Sequence, residues 1–349
     1  RPELSAQARI AVIGGGFVGH CCAWLLQQQG HQVQLIAPAT APQGSAAALG
    51  LLMAEVYQRR SGRGWRLRRR SMQLLQQWQE QLQLPIQRGL LLLASEPQEW
   101  ERQQRLVQQS QCLELLSPAD LKQRVNQAAV PELPDGVLGG VWSSGDGQLD
   151  PMQWIQRLQL AGAEQGLERV EANVIGINRH GGGPWTLRLD NGSKLSCDWL
   201  VIAAGLGSSG LLESLGHSLP MDPVLGQALE LQLGSEQPAW NGCLIWKGIN
   251  LVPRPNRRLW LGATVEPGDE ASPPALAELQ SLEGTAPSWL QQAQVLRQWQ
   301  GLRARPSGQP APVLEQPKPR LLVVSGHYRN GILLAPACAE WAATQIQES

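Results

Sequence analysis

The sequence carries no net charge, because 29 Lys and Arg residues balance 29 Asp and Glu residues. This balance gives no sign of a nucleic-acid or membrane-surface partner. No apolar run approaches the length of a transmembrane helix, and no signal-peptide pattern precedes the first predicted strand. We therefore expect a cytoplasmic protein that binds neither nucleic acid nor membrane.

The six cysteines lack the spacing of metal ligands or of a disulfide framework. None forms a C-x-x-C pair, and none lies at ligand spacing from a histidine. Cysteines without such patterns are typical of a reducing compartment. The sequence therefore predicts no metal site, and the adjacent Cys21 and Cys22 are interpreted as packing residues of a helix.

The chain has 349 residues, which is enough for two domains with sizeable cores. Its first elements are clear from the apolar pattern. Ile10 to Ile13 predicts a buried strand, Phe17 to Gln29 a helix that Gly30 ends, and Val33 to Ile36 a second strand. This order is the first half of a Rossmann-like α/β unit.

Three glycines at G-x-G-x-x-G spacing connect the first strand to the helix. Gly14 permits a tight turn, Gly16 lets a pyrophosphate approach the backbone, and Gly19 lets helix and strand pack closely. The helix N-terminus then offers free N–H groups to phosphate oxygens. The motif predicts dinucleotide binding; the alternative is a glycine turn that binds nothing.

One residue of this motif is missing. The second strand of such a unit usually ends in Asp or Glu, whose carboxylate accepts a hydrogen bond from a ribose hydroxyl. Ala37 occupies that position, and no carboxylate follows until Glu55. The sequence therefore predicts either a different contact to the ribose or weak binding.

Two segments follow with contrasting composition. Residues 38–54 are small and increasingly apolar, so we interpret them as lining a cofactor. Residues 55–84 combine seven arginines with regularly spaced leucines and predict an amphipathic helix. The basic face is interpreted as solvated, although RNA contact or a phosphate-facing arginine are alternatives.

The remaining pattern alternates strands with helices and turns. Gly226 and Gln227 are expected to precede a strand, and residues 205–208 to form a small-residue turn. The other predicted elements are strands at 88–95, 137–150, 199–204 and 321–324, a hairpin of 251–254 with 259–264, and helices at 97–109, from Pro118, at 151–165 and after Pro336.

Several segments together resemble the D-amino-acid oxidase family of FAD enzymes, and within it the glycine oxidases of thiamine biosynthesis. The resemblance extends from about Ile10 to Ile346. Its most specific part is Gly326 to Pro336, with the sequence Gly-His-Tyr-Arg-Asn-Gly-Ile-Leu-Leu-Ala-Pro. The other matching segments are 14–19, 45–54, 146–151, 201–205, 223–227, 251–254, 262–264 and 299–303.

This resemblance implies an α/β fold in which a Rossmann-like FAD-binding domain of the glutathione-reductase type carries a second, α+β substrate domain with an antiparallel sheet. The FAD-binding domain would comprise residues 1–82, 148–222 and 301–349. The substrate domain would comprise residues 83–147 and 223–300. The sequence leaves open whether the chain forms a homo-oligomer.

The resemblance also implies which residues contact FAD. These residues come from five stretches of the chain, three longer ones and two of one or two residues. The implied set is Gly14, Gly16, Phe17, Val18, Gly19, Ser45, Ala46, Ala47, Gly50, Leu51, Leu52, Met53, Val174, Ala204, Gly205, His327, Tyr328, Arg329, Asn330, Gly331, Ile332 and Leu333.

Two arginines are implied as catalytic residues. Arg303 would bind the carboxylate of a small amino-acid substrate, and Arg329 would lie beside flavin and substrate. A planar guanidinium matches a carboxylate with two parallel hydrogen bonds, which supports this assignment. Arg305 is a competing candidate, and His327 is either a proton carrier or a structural histidine of the turn.

The implied activity is oxidation of an amine to an imino acid by hydride transfer to flavin, with oxygen as acceptor. A dehydrogenase with another acceptor and a non-catalytic protein of the same fold are the alternatives. Departures from the family pattern include Ala37, Asn250 in place of a tyrosine, Val265 in place of a methionine, and Ala304 to Gly308 after Arg303.

Overall fold

The computed structural model describes residues 7–237 and 239–349. The strands are β1 Arg9–Ile13, β2 Gln32–Ala37, β3 Leu51–Leu52, β4 Gln87–Ala94, β5 Leu113–Leu116, β6 Gly139–Gln148, β7 Glu168–Glu171, β8 Val174–Arg179, β9 Trp185–Leu189, β10 Lys194–Cys197, β11 Trp199–Ile202, β12 Met221–Gln232, β13 Cys243–Trp246, β14 Ile249–Arg254, β15 Arg258–Gly262, β16 Glu266–Pro267, β17 Gln294–Pro306, β18 Val313–Lys318 and β19 Leu321–Ser325.

The α-helices lie mostly between strands of the first half and at the chain end. They are α1 Phe17–Gln28, α2 Gln43–Ala47, α3 Gly62–Leu82, α4 Pro97–Leu106, α5 Pro118–Asn126, α6 Pro151–Glu164, α7 Ser208–Glu213, α8 Pro273–Ser281, α9 Ser288–Gln291 and α10 Gly331–Gln347. Short 3-10 turns cover Val107–Gln109 and Gly205–Gly207.

The first sheet has the order β18-β19-β11-β1-β2-β7. All its neighbouring strands are parallel except β18 and β19. Helices α1, α3, α6 and α10 share a hydrophobic core on one face, while the small antiparallel sheet β10-β9-β8 packs on the other. Both faces are therefore covered, as a parallel sheet requires, and the predicted Rossmann-type unit is confirmed.

The second sheet has the order β16-β12-β15-β14-β13-β4-β6-β3, with β17 added to β12 and β5 to β6. Its strands are antiparallel apart from the parallel pair of β4 and β13. One face packs on helices α5, α8 and α9 through a leucine-rich core. The predicted second, antiparallel sheet is confirmed.

Several predicted elements need correction. The basic helix begins at Gly62 and not near residue 55, since residues 54–56 are held by hydrogen bonds to another strand. Gly226 and Gln227 lie inside β12 and do not precede it. The turn predicted at 205–208 continues into helix α7.

The division into five domain segments remains a prediction. Its boundaries at 147/148, 222/223 and 300/301 fall inside continuous strands, namely β6, β12 and β17. Each of these strands extends the antiparallel sheet, so the chain passes between the two sheets without a flexible linker there. Within the part of the chain that the structure describes, no helix combines the length and the hydrophobicity needed to span a bilayer.

Asp146 fastens the segment before α3 to the second sheet. One carboxylate oxygen accepts the N–H groups of Ala54 and Glu55 at 2.7 and 2.8 Å, and the other accepts that of Val56 at 3.0 Å. The side chain is fully buried. A buried carboxylate that satisfies three backbone donors fixes this crossing between the sheets.

We expect Asp146→Asn to lower the free energy of unfolding by about 1–3 kcal/mol, because the new amide group would face a backbone donor in a buried site. Urea denaturation measures the loss. The exposed Asp135→Asn is the matched control and should shift stability by less than about 0.5 kcal/mol. Equal effects of both substitutions would contradict the assigned role of Asp146.

Candidate functional site

The glycine turn has the close contacts that its spacing predicts. Gly14 has a φ of +130°, and a Cβ at this residue would collide with the carbonyl oxygen of Ala203 at the end of β11. A Cβ at Gly19 would collide with the carbonyl oxygen of Gly14. Side chains at either glycine would therefore force the turn away from the sheet.

The first turn of helix α1 presents backbone N–H donors beside the glycine turn. The N–H of Phe17 donates to the Ser45 hydroxyl at 2.8 Å. The N–H groups of Val18 and Gly19 have no acceptor among residues 7–237 and 239–349. These donors and the positive end of the helix suit a phosphate group, so this turn fits the pyrophosphate of a dinucleotide.

The end of β2 fits a dinucleotide less well. Ala37 is buried there and offers only a methyl group. The usual carboxylate contact to ribose is therefore missing from this strand. Val174, which was implied as an FAD contact, begins β8 three residues after the neighbouring strand β7 ends.

The small residues from 45 to 53 lie between the two sheets. Ser45, Ala46 and Ala47 belong to α2, which packs on β17. The Trp299 indole N–H donates to the Ala47 carbonyl at 3.1 Å. Leu51 and Leu52 form β3 at the edge of the second sheet, with Gly50 before them and Met53 after them. The segment thus bridges both sheets, and its contact with a cofactor stays a prediction.

The third stretch follows β19 at the same edge of the first sheet. Tyr328 has a φ of +55°, which is unfavourable for a tyrosine, and its N–H donates to the Ala304 carbonyl at 3.1 Å. Asn330 then caps α10, which contains Gly331, Ile332 and Leu333 in its first turn. The N-termini of α1 and α10 therefore both follow parallel strands of one sheet, where nucleotides bind in such folds.

Ala204 and Gly205 lie between these two helix starts. The Ala204 N–H donates to Ser208 Oγ at 3.1 Å, and Ser325 Oγ donates to the Gly205 carbonyl at 3.1 Å. Strand β11 is flanked by β1 and β19. The five stretches implied as FAD contacts thus lie near the carboxyl edge of the first sheet or in the segment 45–53.

Arg303 is a half-buried cation without an ion pair. Its guanidinium donates to the carbonyl oxygens of Leu225 at 3.2 Å and Thr264 at 3.1 Å. No carboxylate lies within 4 Å of it in the described part of the chain. Burial and the nearby positive charge of Arg329 lower the pKa of Arg303. An incoming carboxylate would supply the missing counter-charge.

The two other arginines of this region are exposed. Arg305 lies 3.9 Å from the carboxylate of Asp222 and 6.0 Å from the ring centre of Tyr328. Arg329 precedes α10 and is close enough to Arg303 for their charges to repel. Arg303 is thus the one of the three whose guanidinium is held between strands.

Gly226 belongs to this arrangement, although the sequence reasoning did not include it among the site residues. A Cβ at Gly226 would lie 2.5 Å from Nη2 and 2.7 Å from Nη1 of Arg303. The guanidinium therefore rests directly on the backbone of β12. A glycine inside a strand indicates such a close approach, and this signal was missed because Gly226 was expected to precede the strand.

The basic residues of α3 are distributed over its surface. Arg68 stacks on Tyr57 with its guanidinium carbon 3.7 Å from the ring centre, and Arg70 pairs with Glu340 at 2.7 Å. Arg60 pairs with Glu55 at 3.2 Å. Part of the predicted basic face is thus packed or paired.

A family comparison decides the class of this protein. The family model for FAD-dependent oxidoreductases, the DAO family, matches residues 9–345. The chain belongs to this family. FAD is the cofactor of its members, and the glycine turn with the α1 donors fits that cofactor.

Two curated relatives align with nearly the whole chain of this DAO-family protein. The bifunctional protein ThiO/ThiG of Nostoc sp. strain PCC 7120 is 29% identical over 97% of the chain, which spans 52% of that relative. The glycine oxidase of Bacillus licheniformis is 27% identical, with 96% of this chain and 92% of the relative covered. The predicted resemblance to glycine oxidases is confirmed.

Solved structures agree with the fold. The glycine oxidase of Geobacillus kaustophilus has a TM-score of 0.87 at 25% identity, with 98% of this chain and 96% of that chain covered. The L-proline dehydrogenase of P. horikoshii has a TM-score of 0.85 at 20% identity, with 98% and 94% covered. The second likeness concerns the fold alone.

His327 is buried beside the start of α10. Its Nε2 has no hydrogen-bond partner among the described residues. Burial lowers the pKa of His327 to about 4, with a smaller contribution from the charge of Arg63. A neutral buried imidazole favours the structural interpretation, because it cannot gain a proton near neutral pH.

This pKa predicts a pH dependence of stability. The unfolded chain binds a proton at histidine below about pH 6.5 and the folded chain only below about 4. Stability is therefore complete above pH 6.5 and falls as the pH falls. Between pH 6.5 and 4.5 the wild type should lose about 2 kcal/mol more than His327→Leu in urea denaturation.

The exposed His180 supplies the control for this measurement. Stability of His180→Leu should follow the pH dependence of the wild type. Parallel pH profiles of the wild type and His327→Leu would contradict a buried neutral His327.

Proposed function

We propose that this flavoprotein oxidises the amine of glycine or another small amino acid to an imino acid. The guanidinium of Arg303 carries the proposal, since it lies half-buried against β12 and has no direct ion pair among the described residues, with Glu266 as a more distant negative charge. When bound, FAD supplies the hydride acceptor. The names of the relatives, glycine oxidase and ThiO/ThiG, support a small amino acid as substrate.

The geometry of Arg303 suits recognition of a carboxylate. A guanidinium has five N–H donors, and the carbonyls of Leu225 and Thr264 accept two of them. Three donors remain for a substrate. Leu225 lies in β12, and Thr264 lies in the loop after β15 that is hydrogen-bonded to β12, so the remaining donors are held in place before the substrate arrives.

Thr264 is itself held in place by hydrogen bonds. Its N–H donates to the Gln227 carbonyl at 3.1 Å, and its hydroxyl accepts the Gln227 N–H at 2.8 Å. The same hydroxyl donates to Glu266 at 2.5 Å. This network holds the Thr264 carbonyl in place against Arg303.

The charge of the site also favours the reactive form of the substrate. Arg303 and Arg329 place two positive charges near each other. These two charges disfavour a bound ammonium group and favour the neutral amine, while the nearby Glu266 carboxylate acts in the opposite direction. A neutral amine releases hydride from Cα without a strong protein base.

The electron acceptor is the second part of the proposal. Oxygen is the acceptor that the glycine oxidase relatives suggest by name. The alternative is a dehydrogenase with another electron acceptor, because a solved structure named L-proline dehydrogenase has the same fold. Ala37 favours a third hypothesis, a protein that retains the fold without tight FAD binding, because it lacks the usual ribose-binding carboxylate.

One experiment separates these functions. The purified, FAD-loaded protein is mixed without oxygen with small amino acids and N-methyl amino acids, and its visible absorbance is recorded. Loss of flavin absorbance, followed by peroxide formation in air, is the expected result. Reduction of a dye without peroxide would select the dehydrogenase. No absorbance change with any amine would contradict the proposal.

We expect Arg303→Ala to raise the substrate KM by about 30- to 700-fold, because loss of a charge-assisted bidentate contact costs about 2–4 kcal/mol. Flavin content should stay close to that of the wild type. Steady-state kinetics and the flavin-to-protein absorbance ratio measure both. Arg305→Ala is the control, since this arginine is exposed beside Asp222; a larger effect at Arg305 would contradict the assignment.

We also expect Gly226→Ala to raise KM by about 10- to 100-fold, because the added Cβ displaces the Arg303 guanidinium on which binding depends. The unfolding temperature should change little, since the displaced atoms are the end of a flexible side chain. Gly210→Ala is the control, because a Cβ there meets no atom within 4 Å. An unchanged KM for Gly226→Ala would contradict this role.

A further inference from the structure

Ala37 leaves one part of FAD without its usual protein contact. In dinucleotide-binding folds, a carboxylate at the end of the second strand accepts hydrogen bonds from the adenosine ribose. The Ala37 methyl group can accept none, and it is buried at the end of β2. A protein that binds FAD tightly at this site needs another acceptor near the same edge.

The neighbouring strand supplies a candidate. Strand β7 runs parallel to β2, and Glu171 is the residue directly paired with Ala37. Neighbouring strands are about 4.8 Å apart, and laterally paired residues of parallel strands project from the same face. Glu171 is also the last residue of β7, so it stands at the carboxyl edge beside the glycine turn.

The carboxylate of Glu171 is free to take this role. It is exposed and has no hydrogen bond or ion pair among residues 7–237 and 239–349. Two other carboxylates of this region are engaged. Asp190 accepts the N–H and the side-chain amide of Asn173 at 3.0 and 2.8 Å, and Glu168, at the opposite end of β7, accepts from Gln34 Nε2 at 2.8 Å.

We propose that Glu171 replaces the missing acid of β2 and accepts hydrogen bonds from the adenosine ribose of FAD. The ribose acceptor would then lie on β7, one strand away from its usual position on β2, while the pyrophosphate would bind at the usual glycine turn. Ala172 follows β7, and its N–H donates to the Ala37 carbonyl at 3.1 Å, so the ends of both strands are fixed to each other. The position of Glu171 relative to the glycine turn is therefore set by the sheet.

Equilibrium binding of FAD to the apoprotein tests this role without any assay of catalysis. Quenching of flavin fluorescence gives Kd for the wild type and for Glu171→Gln. We expect Kd to rise by about 10- to 100-fold, the effect of losing a hydrogen bond to a charged group. Glu168→Gln, on the same strand, is the control and should bind FAD like the wild type.

An FAD analogue without the 2′- and 3′-hydroxyl groups of the adenosine ribose shows whether the lost contact is the proposed one. The wild type should bind this analogue more weakly than FAD by the factor that Glu171→Gln causes, and the variant should bind FAD and analogue equally. An unchanged Kd for Glu171→Gln would overturn the proposal. Independent, multiplicative losses from the variant and the analogue would overturn it as well, as would a wild type that binds no FAD.

Discussion

A half-buried arginine charge that has no direct ion pair among the described residues is the constraint on which the candidate site depends. Arg303 contacts two backbone carbonyls and rests on Gly226. Such an arrangement is costly for a charge that burial already disfavours. In the proposed function a substrate carboxylate would offset this cost, so the same feature that weakens the free protein would strengthen the complex.

The two sheets place this charge opposite the edge at which FAD binds in the family. Strand β17 carries Arg303 in the antiparallel sheet, and its neighbour Ala304 accepts the N–H of Tyr328 from the segment before α10. The segment 45–53 connects both sheets, with Ala47 bound by Trp299. The buried Asp146 then fixes the chain that follows this segment. Residues separated by hundreds of positions in sequence thus share one site.

The sequence predicted the elements whose signals are local. The glycine turn, the first helix and the hairpin of β14 and β15 follow from periodicity and glycine position, and the structure confirms them. The predicted helix start at Pro118 was also correct, and Ser117 caps this helix in a capping box with Asp120. These features depend on residues within one or two turns of each other.

The remaining features depend on contacts that periodicity does not encode. The start of α3 at Gly62 depends on Asp146, which lies some ninety residues away. Sequence alone could not choose between Arg303 and Arg305, because both lie on β17. Only the folded sheet shows that the Arg303 side chain lies against Gly226, while Arg305 is paired with Asp222. The same holds for Glu171, whose pairing with Ala37 appears only in the sheet.

The most direct test of the central claim compares glycine with methylamine, which has the amine but lacks the carboxylate. Each is added without oxygen to the FAD-loaded protein, and the rate of loss of flavin absorbance is measured over a range of concentrations. If Arg303 recognises the carboxylate, glycine or another small amino acid reduces the flavin, and methylamine does so only at far higher concentration. Reduction by methylamine at the same concentrations, or no reduction by any amino acid, would contradict the account.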